Sequence, residues 1–175
     1  FSSAKIDSLY PASAVVAIGN FDGVHLGHQS ILNIAKTQAK LLNCATTVFT
    51  FNPHPTLELR PQSTLKLLMT YEEKRNQIEK LGIDFCVEEP FDADFAKTSA
   101  YDFFHEILLK RLKAKAIVVG EDFSFGHKRE GTVETLAMYC MQSGVQLHLA
   151  KPVMVSLLGG EPAPVSSSRI RDELQ

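Results

Sequence analysis

The stretch AVVAIGNFDGVHLGH, from Ala14 to His28, limits what this chain can become more than any other segment. Ala14–Ile18 is a short apolar run of the kind buried strands use. It feeds a turn that carries Gly19 and Gly23, and two histidines three residues apart then open a helix with the stripe Ile31, Ala35, Ala39 and Leu42. Backbone N–H groups at a helix start attract phosphate oxygens, and small residues let the chain approach them closely. His25 and His28, at i and i+3, face the same side, so each can donate a ring N–H to one phosphate group. That combination suits a nucleoside triphosphate.

Four further runs read as strands: Thr46–Phe51, Asp84–Val87, Ala116–Val119 and Gln146–Ala150. Helix patterns alternate with them. Thr70 with Glu73 forms a capping box and Gly82 closes that helix. Ser99 with Asp102 opens the next, with Phe103, Ile107 and Leu108 on one face, and Thr132–Gln142 gives another, stopped by Gly144. Such alternation predicts an α/β fold, a Rossmann-like open parallel sheet with helices on both faces, as one domain over residues 1–175. Asn20–His28, Phe51–Pro55 and Glu121–Gly126 each follow a strand. Ligands of open α/β sheets bind at the carboxyl ends of strands, so these segments are expected to converge on one cleft. Gly159–Pro164 reads as a loop before a last helix. The chain starts at Phe1 and stops at Gln175 inside that helix, as a piece of something longer would.

Composition excludes several classes. No apolar run approaches the roughly 20 residues of a membrane span, and no signal peptide opens the chain. Lys and Arg total 18 against 20 Asp and Glu, which argues against a broadly basic nucleic-acid surface. Cys44, Cys86 and Cys140 lack metal-ligand spacing and read as reduced core thiols of a cytoplasmic protein. No G-x-G-x-x-G is present, and Gly120 to Lys128 has the wrong spacing and following residue for a P-loop. Glu88–Asp94 reads as a solvated acidic loop. His105 and His148 read as structural or surface residues.

Gly19–His28 resembles the HxGH signature of nucleotidylyltransferases, and Val165-Ser-Ser-Ser-Arg-Ile-Arg171 resembles their late ISSTxxR motif, with Val for Ile and Ser for Thr. Phe51-Asn-Pro-His-Pro55 and Val119–Gly131, with its Asp122-Phe-Ser-Phe-Gly126 core, are ambiguous alone: a stiff loop and a pair of core phenylalanines would read the same way. Together, in this order and spacing, the four segments resemble the FMN adenylyltransferase part of the bacterial bifunctional riboflavin kinase/FMN adenylyltransferases. The resemblance implies transfer of AMP from ATP to FMN, giving FAD and pyrophosphate. It implies catalytic roles for His25, His28 and Arg171. ATP is expected at Gly19, Asn20, Phe21, Asp22, Gly23, Ser166, Ser167 and Ser168, with Asn20 and Asp22 shaping the turn rather than touching substrate. FMN is expected at Asn52, Pro53, His54, Pro55, Asp122, Phe123, Phe125 and Arg129. His54 either lines the pocket or only fixes its loop, and which phenylalanine faces the ring is open. Mg²⁺ is expected on the ATP phosphates, with no protein metal ligand. The family's covalently linked riboflavin kinase barrel, with its Pro-Thr-Ala-Asn motif, has no counterpart in this chain, and Gly159–Pro164 is richer in Gly and Pro than the family loop.

Overall fold

The computed structural model describes residues 11–156 and 161–174. Gly159 and Gly160 of the expected loop, and Gln175 at the end of the last helix, lie outside the described residues. The central strand β1 (Ala14–Ile18) is 0–1% exposed along its whole length. Its small and β-branched residues alternate between two cores. Val15 and Ala17 pack with Leu32, Ala35, Ala39, Val48, Ile78 and Val118 on one face. Ala14, Val16 and Ile18 pack with Phe49, Phe103, Phe104, Leu108 and Leu136 on the other. Burying each such large apolar side chain contributes about 1.5–3 kcal/mol, which fixes the strand's register as well as its place.

Helix α1 (Leu26–Leu42) follows β1 and leads to β2 (Ala45–Phe51); a short helix α2 (Pro55–Leu59) and α3 (Tyr71–Lys80) precede β3 (Phe85–Glu89). Helix α4 (Ala100–Asp102) runs on as a π-helical stretch over Phe103–Arg111 into β4 (Ala114–Gly120), and α5 (Val133–Ser143) leads to β5 (Gln146–Ala150). The five strands are parallel in the order β3-β2-β1-β4-β5. Helices α1 and α3 supply Leu32, Ala35 and Ile78 to one face, and the α4–π segment and α5 supply the other. The expected doubly covered parallel sheet is present. The chain leaves β1 for β2 and β3, then returns to β4 on β1's other side, so β1 lies at the point where the order reverses. The carboxyl ends of β2, β1 and β4 are therefore neighbours on one sheet edge, where ligands of such sheets bind.

Caps follow the sequence. The Thr70 hydroxyl accepts from the Glu73 N–H while the Glu73 carboxylate accepts from the Thr70 N–H, and Ser99 and Thr132 cap their helices alike. Other details differ. Of α1's expected stripe, Ala35 and Ala39 are buried and Ile31 and Leu42 only partly so, and the large buried side chain on this face is Leu32, outside the stripe. Asp84 precedes β3 rather than starting it, because its carboxylate is taken by the Thr46 N–H and hydroxyl at 2.8 and 2.7 Å. Glu88 and Glu89 end β3 instead of opening a solvated loop; Arg75 and Arg111 each pair with one of them at 2.7 Å. Helix α2, the π-helical geometry and a two-residue hairpin, β6 (Met154–Val155) with β7 (Ala163–Pro164), carry no periodicity long enough to read. The last helix, α6 (Ser167–Glu173), follows that hairpin.

After β4, residues 121–131 fold back as a loop closed by paired backbone bonds between Phe125 and Gly131, 3.0 and 2.9 Å. The loop docks on the start of α4, where the Glu130 carboxylate accepts from the Ala100 N–H at 2.7 Å. Gly126 makes this possible: it has φ +76°, and a Cβ there would lie 2.5 Å from the Ala100 nitrogen. Gly144, the C-cap of α5, has a similar φ of +67° but no atom within 4 Å of its would-be Cβ. Gly144→Ala is expected to cost about 1 kcal/mol of backbone strain. Gly126→Ala is expected to cost at least about 2 kcal/mol, because a rigid backbone clash adds to the same strain. Urea denaturation of both variants compares them, and equal losses would show that contact with Ala100 does not constrain the loop.

Candidate active site

The turn after β1 is tightly organised. The Gly19 N–H continues the sheet ladder to the Phe49 carbonyl at 3.2 Å. Phe21 and Val24 adopt positive φ, 51° and 39°, a costly backbone for such residues that persists only where surroundings enforce it. Both side chains are buried, and the Phe21 ring covers Gly19 and meets the His28 ring at 5.2 Å. Gly23 also has positive φ and lies against Leu68. Asp22, only 5% exposed, is the connecting residue. Its carboxylate accepts from the Leu68 N–H at 2.9 Å and from the Arg171 guanidinium, and its carbonyl accepts from the Ser167 hydroxyl at 2.7 Å. Arg171 also donates through Nε to the Lys66 carbonyl at 2.7 Å. Two remote stretches of chain, the loop at Lys66–Leu68 and the segment carrying Ser167 and Arg171, are thus tied to the turn.

His25 is the N-cap of α1, and its Nδ1 accepts from the His28 N–H at 3.4 Å. That bond assigns the proton to Nε2, which leaves a ring N–H to donate outward. The two imidazoles stack, centroids 3.6 Å apart at 19°. Gly27 is required between them and the last motif, since a Cβ would come within 3.1–3.2 Å of the His25 ring and 3.4 Å of the Val165 carbonyl. Burial, then the neighbouring His25 and Lys74, push the His28 pKa down to about 3. Burial also lowers that of His25, against an opposing pull from Asp22. Both rings are therefore neutral at physiological pH. The buried Nδ1 of His28 has no hydrogen-bond partner among the described residues. Such an orphan is costly in a finished protein interior and fits a site completed by a ligand.

Of the serines in the last motif, Ser166 caps α6 by accepting from the Arg169 N–H at 3.2 Å, Ser167 binds the Asp22 carbonyl, and Ser168 is exposed. On the other side, the Asn52 N–H bonds the Glu89 carbonyl at 3.0 Å, and the Asn52–Pro53 bond is cis. His54 caps α2 through Nδ1, which accepts from the Thr56 N–H at 3.2 Å, and Pro55 occupies the first helical position. Burial lowers the His54 pKa, with Asp22 opposing and Arg171 and Lys74 adding to the fall. His54 and Asp22 line the same small cleft, which Asn20, Tyr71 and Lys74 also line and which joins the two sides. In the loop after β4, Phe125 is a core residue, 6% exposed and packed near Phe103. Phe123 is half-buried and stacks on Phe125 at 5.5 Å, while Asp122 and Arg129 are exposed, the latter at φ 61°. No three His, Cys, Asp or Glu side chains among the described residues cluster as metal ligands.

Two residues of this site were missed in the sequence. Tyr71 accepts the His54 N–H on its hydroxyl at 2.9 Å, and Lys74 is buried at 4% exposure beside it. One signal existed: Lys74 stands four residues before Ile78, on the side of α3 that the core claims.

The lowered histidine pKa values set a pH dependence. A His whose folded pKa lies below its unfolded value takes up a proton on unfolding, so the stability it supports is present above pH 6.5 and is lost as pH falls. With a folded pKa of about 3, His28 alone removes about 1.6 kcal/mol between pH 6.5 and 5, above the main carboxylate range. Denaturation midpoints across that window are expected to fall less steeply in His28→Gln. An unchanged slope would show that the buried imidazole is not kept neutral.

Comparisons with known proteins show the family. Residues 8–168 match the family model described as FAD synthetase. A Buchnera aphidicola (subsp. Schizaphis graminum) protein named bifunctional riboflavin kinase/FMN adenylyltransferase is 35% identical over 160 residues, covering 91% of this chain and 50% of the relative. Relatives with that name from Bacillus subtilis and Escherichia coli K12 are 35% and 33% identical, covering 94% and 76% of this chain and 50% and 42% of their own. The chain spans about half the length of the first two. A solved structure, described as a macrolide-efflux protein from Streptococcus pneumoniae, superposes with a TM-score of 0.78 at 30% identity, over 93% of this chain and 52% of that one. A match spanning nearly all the described sheet, the two-histidine turn and the serine segment gives the chain its place: it belongs to the FAD synthetase family.

Proposed function

We propose that this domain transfers AMP from ATP to FMN, releasing pyrophosphate and forming FAD. The observation that carries the reading is the neutral His25–His28 pair at the reversal point of the sheet, with an unpartnered ring nitrogen on His28. The names of the relatives point to the same substrates. An FMN phosphate oxygen attacks the α-phosphorus of ATP, a P–O bond forms, the bond to the bridging oxygen of pyrophosphate breaks, and pyrophosphate leaves in line with the attack. A phosphate monoester has a second pKa near 6, so the nucleophile is largely dianionic at neutral pH and needs no strong base. The barrier lies in bringing anions together, and positioned donors lower it.

His28 donates to the α-phosphate oxygens as charge builds there, and His25 donates through Nε2 to the ATP phosphates. Gly19, Phe21 and Gly23 offer backbone contacts, while Asn20 and Asp22 hold the turn in shape. Ser166, Ser167 and Ser168 face the leaving pyrophosphate. Arg171 joins them with the guanidinium donors that Lys66 and Asp22 do not use. Mg²⁺ carried on the ATP phosphates supplies charge neutralisation there. The chain fits that mode, because Asp22, the carboxylate of the turn, is already paired with Arg171. Asn52, Pro53, His54 and Pro55 form a rigid wall for the flavin, with Phe123 against the ring and Asp122 and Arg129 at the rim; Phe125 supports Phe123 from the core. In its cellular setting the domain works in the cytoplasm, joined to a riboflavin kinase domain.

Incubation with FMN, ATP and Mg²⁺, followed by chromatography of the flavin, tests the assignment; FAD is the expected product, and CTP in place of ATP is expected to give none. An FAD-free reaction sinks it. His28→Ala is expected to lower kcat by about 10²–10³ with the fold intact, the usual cost of one lost phosphate donor. Phe123→Ala is expected to raise the KM for FMN about tenfold at little cost in stability. Phe125→Ala should instead cost about 3–5 kcal/mol in denaturation, as a truncated core aromatic does. The reverse pattern would exchange the two roles.

A further inference from the structure

The least expected group near the site is the ammonium of Lys74, buried at 4% exposure beneath the cleft on the first turn of α3. Its Nζ donates to the Thr50 hydroxyl at 3.1 Å and to the Phe51 carbonyl at 3.2 Å. The Thr50 hydroxyl in turn donates to the Asn20 carbonyl at 3.0 Å. Through these bonds one charge grips the end of β2 and, by one relay, the turn that follows β1. Nζ also sits 5.1 Å from the centre of the Tyr71 ring, whose hydroxyl holds the His54 N–H. The ammonium therefore reaches both walls of the cleft. Among the described residues, Glu88 at 3.9 Å is the carboxylate within ion-pair distance, and Glu88 already has a closer partner in Arg75 at 2.7 Å.

Stability alone gives no reason for this arrangement. A buried ammonium loses its hydration and regains it poorly from a distant carboxylate, and a methionine of similar length would fill the space without that loss. What methionine would lack is the pair of directed N–H bonds to the strand ends. We propose that Lys74 is a positioning residue for phosphoryl transfer: it locks the Asn20 turn and the Phe51–Pro55 loop in one relative placement, so that the nucleotide and flavin walls meet at the right separation. The proposal rests on the reading of the site as an adenylyltransferase.

Because the two reacting phosphates must meet in line, loosening one wall against the other costs the transition state more than it costs the binding of either substrate. Lys74→Met is expected to lower kcat at least tenfold while leaving the KM values for ATP and FMN within threefold. Arg75→Met is the control. It removes the stronger bond to Glu88 from the same helix but no bond to either strand end, and its kcat is expected to stay within twofold of wild type. Hydrogen exchange by mass spectrometry gives a readout free of turnover: peptides covering residues 19–24 and 50–56 are expected to exchange faster in Lys74→Met and not in Arg75→Met. Unchanged exchange in both peptides overturns the proposal, as does a kcat loss no larger than that of Arg75→Met. Wild-type protein that forms no FAD removes the adenylyltransferase reading separately, and the exchange comparison then decides alone whether Lys74 couples the walls.

Discussion

The site depends on the carboxylate of Asp22. It is nearly inaccessible to water and accepts from the Leu68 N–H and the Arg171 guanidinium, while the backbone carbonyl of the same residue accepts from the Ser167 hydroxyl. A buried carboxylate left without such donors would be strongly destabilising, so the three segments are obliged to converge on it. This requirement turns a β–α turn, a loop before α3 and a helix about 150 residues further along the chain into one wall. Helix α6 has seven residues and buries none of them fully. Its place against the turn after β1 comes from these polar ties and from the Gly27–Val165 approach rather than from a fully buried apolar face.

The other wall is built on different physics. Its loop is stiff because prolines fix φ at two positions and because its N–H groups at Asn52 and His54 are taken by Glu89 and Tyr71. The Phe123–Phe125 loop is held by a backbone approach to α4 that only a glycine allows. Sheet order brings the two walls together. Since β2, β1 and β4 are adjacent and parallel, everything that follows their last residues opens on the same edge. The cleft is thus a product of topology, and the helix after β1 opens on two imidazoles whose pKa values burial lowers.

Much of this was legible beforehand because it is carried by local chemistry. The five strands, the caps at Thr70, Ser99 and Thr132, and the αL stop at Gly144 each follow from a few neighbouring residues. Of the three post-strand segments, those after β1 and β2 supply Asn20, Asp22 and His54 to the cleft, as their position announced, while the segment after β4 contributes none of its lining residues. What escaped was non-local or short. Asp84 looked like the first residue of β3, and only the distant Thr46 removes it from the strand. Glu88 and Glu89 looked solvated because their partners, Arg75 and Arg111, stand on other elements. Phe123 and Phe125 are separated by a single residue and chemically identical, so only packing against Phe103 tells the core ring from the half-buried one. Lys74 was passed over for the opposite reason: a lysine on a helix is ordinarily read as a surface residue, and its spacing from Ile78 tells which side it faces but not that a strand end needs it.

One consequence follows from the way Arg171 is held. Arginine normally gives up considerable rotamer entropy when it closes on an anion, and that loss weakens the complex. Here Nε is fastened to the Lys66 carbonyl and another nitrogen to Asp22. The side chain has already surrendered that freedom during folding. On the proposed reading, an arriving polyanion would meet a preorganised fork, so its attraction to the guanidinium would go into affinity instead of into freezing a mobile side chain.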